Sequence, residues 1–255
     1  MSELTVVESS KSISDAWAQS FKKIYDDGDI SPLVISVTGF SGDMKTPEDT
    51  DIRIALDISL KELNESSVQT VANTIFPWSL WNKDKPREEL YERHDKILPS
   101  IRSCDANKRG HYFRRMISFD KPVGGINQLE KVFDVWDSSH RHSGLQVAFF
   151  DPNRDHIRSP YLGFPCLHQI SFDCYGANGA DGMGITAFYG TQHNHRKAYG
   201  NLLGLSRLGM FMAHEMDLEF VRLNCVSGLA KFSGSFRKTN EYVEELVELI
   251  ESKID

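Results

Sequence analysis

The chain lacks the sequence features that mark several common classes of protein. Its only cysteines are Cys104, Cys166, Cys174 and Cys225, and they form neither a CxxC pair nor a spacing typical of a zinc site. The formal net charge is −7, so no excess of positive charge favours binding along a nucleic-acid polymer. We therefore expect no metal site, no disulfide framework and no nucleic-acid partner.

Long apolar runs are also missing. No segment approaches the length of a membrane-spanning helix, and residues 1–11 carry no apolar core of the kind found in a secretory signal. The small number of cysteines fits a compartment in which thiols stay reduced. We expect a soluble cytoplasmic protein with no membrane partner.

The length and the 40% of hydrophobic residues allow a large core and fit one α/β or α+β domain as well as two. Because no repeat, low-complexity segment or linker stands out along the sequence, we predict a single α+β domain over residues 1–255. Apolar residues at helical spacing predict helices over 14–28, with Ser14 as N-cap, and over 47–63, 81–103, 127–136, 200–216 and 240–253. Strands are predicted over 33–39, 145–150, 166–175, 185–189 and 220–225, with a glycine-rich hairpin loop over 176–182. The pattern over 68–77 leaves helix and strand open.

The segment around Cys166 combines a proline, a thiol and the start of a strand. Pro165 fixes its own backbone φ, so the thiol that follows can be held in one direction. A cysteine whose pKa is lowered is a strong nucleophile, whereas a lone buried cysteine is more often a small inert hydrophobe. The order of the surrounding residues favours the first interpretation over the second.

Four further features lie along residues 146–232. They are Phe150-Asp151-Pro152 at the end of a strand, Phe172 six residues after Cys166, Phe188-Tyr189 at the end of another strand, and Tyr199-Gly200-Asn201 before an apolar helix. In this order they resemble the thymidylate synthase and pyrimidine nucleotide hydroxymethylase superfamily. The resemblance covers about a third of the chain.

The resemblance implies a thymidylate-synthase-like fold, with a mixed β-sheet packed by helices and a homodimer formed through the sheet. In this family a cysteine thiolate adds to C6 of a pyrimidine ring, and C5 then takes a one-carbon unit from 5,10-methylenetetrahydrofolate. The unit becomes a methyl group by hydride transfer or a hydroxymethyl group by addition of water. Cys166 is expected to be the nucleophile, and a pyrimidine nucleotide or a related molecule the substrate.

The same resemblance assigns roles to further residues. Asn201 is expected to read the pyrimidine, because an amide both donates and accepts hydrogen bonds, although an asparagine at a helix start is also a common N-cap. The other residues expected to bind substrate are Tyr189, Ser171, Gln192, Arg141, Arg114 and Arg115, and those expected to bind the folate are His193, Asn194 and Asn73.

Several of these residues also have a structural interpretation. Arg114 and Arg115 fit a solvated basic pair slightly better than a phosphate grip, and residues 110–116 fit an exposed strand as well as a base-stacking surface. Arg141 lies at about the distance from Asp151 at which the family carries paired arginines from the second subunit. Gln192, His193 and His195 are favoured as a polar loop rather than a metal site.

Departures from the family pattern argue for a specialised substrate. Thr191 stands where the family has a phosphate-binding arginine, and Ala230 and Phe232 stand where it has a ribose-reading histidine and tyrosine. The sequence therefore leaves open a catalytically silent homologue that binds or senses nucleotides. A third hypothesis is a cysteine hydrolase in which His168 pairs with Cys166.

Overall fold

The computed structural model describes residues 5–7, 9–104, 111–121, 124–156, 158, 165–175, 182–232 and 240–254. Within these residues the chain folds into helices around a mixed sheet, so the predicted α+β class is confirmed. No helix in this part of the chain is both long enough and apolar enough to cross a bilayer.

Six strands form the sheet. They are β1 (Thr5–Val6), β2 (Leu33–Val37), β3 (Gln146–Ala148), β4 (Leu167–Tyr175), β5 (Gly182–His193) and β6 (Glu219–Lys231). Their spatial order is β1–β2–β6–β5–β4–β3, with β1–β2 and β5–β6 parallel and the other pairs antiparallel. The predicted adjacency of β4 and β5 is confirmed, and both β5 and β6 are longer than predicted. The predicted hairpin loop lies outside the described residues except for Gly182.

Nine α-helices lie in the described part of the chain. They are α1 (Ile13–Asp27), α2 (Thr50–Glu62), α3 (Val68–Ile75), α4 (Glu88–Ser103), α5 (Tyr112–Ile117), α6 (Gln128–Ser139), α7 (Pro152–Asp155), α8 (Tyr199–Glu215) and α9 (Glu241–Ile254). A π-helical segment, Asn194–Ala198, joins β5 to α8. Of the ambiguous residues 68–77, Val68–Ile75 form helix α3, and Ser67 Oγ caps it by accepting from Thr70 N at 3.2 Å.

The N-cap of α1 is Ser12, so the prediction of Ser14 was wrong. Ser12 Oγ accepts from the backbone N–H of Ser14 at 3.0 Å and of Asp15 at 3.4 Å. Ser14 instead lies in the first turn, fully buried, and its Oγ is 2.7 Å from the Tyr199 hydroxyl. The prediction that Gly28 ends the helix is confirmed; its φ of 90° is open mainly to glycine.

The alternative of an exposed strand over residues 110–116 was wrong, because α5 begins at Tyr112 and five of its six residues are at most 9% exposed; residue 110 lies outside the described residues. Alternating aromatic and basic residues suit a strand by their period of two. In this segment burial overrides that pattern, since Phe113 and Met116 are three residues apart and pack into the core from one side of a helix.

The two faces of the sheet differ in character. Side chains such as Ile35, Phe172, Ile185 and Leu223 enter the core, where α8 packs on β5 and β6. The opposite face carries a row of paired polar residues that crosses five strands. In sheet order the row consists of Ser36, Asn224, Thr186, Ser171 and Gln146. We call this the polar face of the sheet.

Helix α8 approaches α3 closely at two glycines. A Cβ on Gly200 would lie 2.5 Å from Cβ of Val71, and a Cβ on Gly204 would lie 2.8 Å from the carbonyl oxygen of Ala72. Real side chains do not tolerate such contacts without movement of the neighbour. The two glycines therefore fix which side of α8 faces α3.

A pair of buried histidines joins α4 to the start of α5. Nε2 of His94 lies 3.2 Å from Nε2 of His111, and Nδ1 of His111 accepts from the backbone N–H of Arg114. Burial, together with the positive charge of Arg114, lowers the pKa of His94 to about 3 and that of His111 to about 4. Both rings are therefore neutral in the folded protein near pH 7.

This pair predicts a loss of stability in weak acid. In the unfolded chain each histidine takes up a proton near pH 6.5, whereas the folded chain resists it, so lowering the pH favours unfolding. From pH 7 to pH 5 we expect each histidine to cost about 2 kcal/mol of unfolding free energy. His94→Leu, measured by urea unfolding at both pH values, should show a correspondingly smaller loss.

The matched control is the exposed residue His142, since His142→Gln should keep the wild-type difference between pH 7 and pH 5. An identical pH dependence for the wild-type protein and His94→Leu would contradict the assignment.

Candidate functional site

Cys166 lies directly before β4 and is held by contacts to two other elements. Its backbone N–H donates to the Tyr112 hydroxyl of α5 at 3.3 Å, and its carbonyl accepts from Gly190 N of β5 at 3.0 Å. Pro165 is buried and the Cys166 side chain is half-buried. The thiol is thus fixed at the start of β4, as expected from the proline before it. Phe164 lies outside the described residues.

Two tyrosines lie beside the thiol. Tyr189 pairs with Leu167 across β4 and β5, and its buried hydroxyl has no hydrogen-bond partner within the described residues. Burial raises the pKa of both Tyr112 and Tyr189, with the neighbouring Cys166 contributing to each rise. Both phenols therefore stay protonated near neutral pH and are able to donate hydrogen bonds.

The charge state of the Cys166 thiol is set by two opposing effects. Burial raises the pKa of the thiol above its ordinary value, because the thiolate would lose its hydration. The ammonium of Lys197, in the π-helical segment, lowers the same pKa but offsets burial only in part. The thiol of the free protein is therefore protonated at pH 7, and it becomes a nucleophile only when it loses that proton.

Asn201 is not an N-cap, because α8 begins two residues earlier, at Tyr199. Its side chain is 5% exposed and makes no hydrogen bond to any residue that the structure describes. Because no described residue occupies the amide, both its donor and its acceptor are open to a ligand.

The direction of Asn201 follows from its neighbours. Tyr199 points to α1 and Gly200 faces α3, and each further residue of a helix turns by about 100°. Asn201 therefore points to the side of α8 away from α1. Because α1 packs on β2 and α8 packs on β5 and β6, that side faces β4 and Cys166.

The structure places Gln192 and Ser171 apart. Gln192 is buried in β5, where its Oε1 accepts from Ser227 Oγ at 2.9 Å and its Nε2 lies 3.9 Å from Cys225 Sγ. Ser171 belongs to the polar face of the sheet and accepts from Gln146 at 2.9 Å. Of the two, Gln192 lies on the side of the sheet that carries Tyr189.

The three residues expected to bind a folate do not come together. Asn194 is fully buried, and its Nδ2 donates to Ser20 Oγ at 3.0 Å. Asn73 lies on α3, where its Oδ1 accepts from Gln69 at 3.0 Å. His193 ends β5, is half-buried, and keeps Nδ1 without a partner in the described chain.

The predicted polar loop over residues 192–195 was wrong, because β5 continues through His193 and a helical turn follows. His195 is buried, with Nε2 3.1 Å from Ser59 Oγ, and its ring stacks on Phe232 at 5.8 Å. No cluster of three or more potential metal ligands occurs among the residues described.

Arg114 and Arg115, two of the arginines expected to bind substrate, form ion pairs with carboxylates. Arg115 donates to both carboxylate oxygens of Asp155, at 2.5 and 3.2 Å, and Arg114 forms an ion pair with Asp95. Both arginines are at most 9% exposed, so the expectation of a solvated basic pair was wrong. Arg141 is exposed at the turn after α6.

The described residues contain no hydrogen-bonded pair of Cys166 and His168, which the cysteine hydrolase hypothesis requires. His168 packs on Gly190 between the rings of Phe150 and Phe188, at 5.2 and 5.8 Å, and its ring hydrogen-bonds the backbone of Pro165. No hydrogen bond joins it to the Cys166 thiol in the described structure. A register shift between Leu167 and Gln169 breaks the alternation on which the pairing depended.

Two residues beside the thiol were not foreseen from the sequence. Tyr112 comes from a helix more than fifty positions away, and no local pattern indicates that contact. For Lys197 the sequence did contain a signal, because it precedes Asn201 by four residues and this spacing places two side chains on the same side of a helix. Comparisons with known proteins add no assignment, since no family model matches the chain and no curated protein is similar to it.

Proposed function

We propose that this protein is a thymidylate-synthase-like transferase that adds a one-carbon unit, methyl or hydroxymethyl, to C5 of a pyrimidine nucleotide or related molecule. The observation that supports the proposal is a thiol, Cys166, fixed at the start of β4, together with the amide of Asn201, which has no described hydrogen-bond partner and which helical geometry directs toward β4. A nucleophile and an amide that reads a ring edge are the two groups that addition to a pyrimidine needs.

The chemistry assigned to Cys166 begins with addition. The thiol loses its proton, the S–C6 bond forms, and the electron pair of the C5–C6 double bond moves to C5 and O4 of the ring. The Asn201 amide can donate to O4, where negative charge develops, and accept from N3–H. Elimination reverses the addition: a proton leaves C5, the S–C6 bond breaks and the thiol is restored.

Methylenetetrahydrofolate supplies the one-carbon unit when bound. Of the residues expected to hold it, Asn194 and Asn73 are occupied by Ser20 and Gln69, whereas His193 keeps a polar atom without a described partner. We therefore assign folate binding to His193 alone and derive no step from the other two.

A catalytically silent homologue that binds or senses nucleotides is the second candidate. The observation that favours it is burial of the thiol, which raises its pKa and keeps it protonated near pH 7. Arg114 and Arg115 are also held in ion pairs with carboxylates, so the two arginines expected to bind the substrate phosphate do not form a phosphate site within the described chain.

A homodimer formed through the polar face of the sheet belongs to the same proposal. Hydrogen bonds link the side chains of this face across the strands, from Ser36 Oγ to Asn224 at 3.0 Å and from Asn224 to Thr186 at 3.2 Å. Phe188 is 42% exposed on the same face, a large apolar surface for a strand in the middle of a sheet. A cytoplasmic location fits the four free cysteines.

Covalent trapping tests the catalytic proposal. A 5-fluoropyrimidine nucleotide can accept the thiol at C6 and bond C5 to the methylene carbon of the folate, but it cannot then lose fluorine as it would lose a proton, so this covalent complex should accumulate. Incubation with 5-fluoro-dUMP or 5-fluoro-dCMP and the folate should raise the mass of the Cys166 peptide by that of the nucleotide joined to the methylene-folate. The increase should persist in Cys104→Ser and disappear in Cys166→Ser.

No adduct with any pyrimidine nucleotide, together with unchanged nucleotide affinity in Cys166→Ser, would reject the transferase and favour the silent homologue.

Light scattering tests the dimer. The chain has a mass of 29.0 kDa, so the wild-type protein should scatter as a particle of twice that mass. Phe188→Lys places a charge on the polar face and should shift the particle to a single chain, while Lys131→Glu on exposed α6 should not. A single-chain mass for the wild-type protein at micromolar concentration contradicts the proposed dimer.

A further inference from the structure

Lys197 lies where the chain passes from β5 into α8. β5 is held against the start of β4 by the hydrogen bond from Gly190 N to the Cys166 carbonyl, and the π-helical segment begins directly after β5. Lys197 is four residues before Asn201, so both side chains project from about the same side of the helical segment. That side faces β4, as argued above for Asn201.

Lys197 differs from the cations around it because no described carboxylate lies within ion-pair distance of its ammonium, although the charge of Glu65 raises its pKa. Arg196 Nε lies 2.8 Å from a carboxylate oxygen of Glu65, and Arg115 is held by Asp155. Lys197, although half-buried, makes no ion pair or hydrogen bond with any residue the structure describes. A partly desolvated ammonium without a partner is stabilised by a negative charge that appears near it.

The negative charge that can appear there is the Cys166 thiolate. Each group acts on the other: the ammonium lowers the pKa of the thiol, and the thiolate raises the pKa of the ammonium. Burial acts in the opposite direction on both groups, which is the behaviour of two side chains in one poorly hydrated space.

The other titratable groups around the pair do not replace this interaction. Tyr112 from α5 and Tyr189 from β5 face Cys166, and both stay protonated near pH 7 because burial raises the pKa of each. Arg196 and Glu65 act on Lys197 with opposite signs and form an ion pair with each other, and Lys197 in turn lowers the pKa of His193. Within the described chain, Lys197 is the cation that acts on the thiol.

We propose that Lys197 is a positioning residue that supplies the positive charge against which the Cys166 thiol ionises when it attacks. The thiol proton passes to solvent, Lys197 keeps its own proton, and the new S–C bond takes the electron pair of the thiolate. The inference rests on the proposed function only in treating Cys166 as a nucleophile. It does not depend on the identity of the pyrimidine or on folate.

The test is the pH dependence of alkylation of Cys166 by iodoacetamide, in which the S–C bond forms and iodide leaves. The Cys166 peptide is followed by mass spectrometry, which separates it from the peptides of the other cysteines. Lys197→Met should move the midpoint of the rate profile upward by about one pH unit, equivalent to about tenfold slower alkylation at pH 7. Lys197→Arg should keep the wild-type midpoint, because it keeps the charge.

The matched control is Lys131→Met, which removes an exposed lysine on α6 and should leave the profile unchanged. Lys197→Gln is measured in parallel, so that a folding defect in the methionine variant does not decide the result. An unmoved midpoint in either neutral variant that retains the wild-type circular dichroism spectrum would overturn the proposal.

The alkylation test of Lys197 and the adduct test of the transferase can succeed or fail independently. A shifted midpoint without any pyrimidine adduct would leave the Cys166–Lys197 interaction standing and reject the reaction. An adduct with an unmoved midpoint would support the reaction and reject the role of Lys197.

Discussion

The parallel pairing of β5 with β6, bridged by the buried helix α8, is the constraint on which the candidate site depends. A parallel pair needs a crossover, and α8 provides it while packing its apolar side on the two strands. β5 then places Tyr189 and, through Gly190, the backbone of Cys166. The turn out of β5 places Lys197, and the first turn of α8 places Asn201.

Burial has two opposing consequences at the candidate site. The hydroxyl of Tyr189 is buried without a hydrogen-bond partner among the described residues, and the amide of Asn201 makes no hydrogen bond to them either, so both groups are open to a ligand. The same burial raises the pKa of Cys166, so the thiolate needs a nearby positive charge.

The structure also bears on the departures from the family pattern. Phe232, where a ribose-reading residue was expected, packs with Phe21 and His195 at 5.8 Å and is 7% exposed, and Ala230 is fully buried. These residues serve the core.

Periodicity predicted the long helices and the central strands, because their burial is repeated at regular spacing along the chain. It failed at α5 and in the roles of Arg114 and Arg115, since Asp155 lies forty residues away and only tertiary structure brings it to Arg115. The fixed position of Cys166 at the start of β4 was predictable from Pro165-Cys166. The contact with Tyr112 was not, because it joins elements that no sequence pattern relates.

The most direct test of the central claim is exchange of the hydrogen at C5 of a pyrimidine nucleotide in D₂O, followed by proton NMR. Reversible addition of the Cys166 thiolate at C6 makes C5 basic, so each cycle can replace the C5 proton with deuterium without any folate. The account predicts loss of the H5 signal of a uracil or cytosine nucleotide with the wild-type protein and none with Cys166→Ser. An H5 signal that persists with every pyrimidine nucleotide that binds would contradict it.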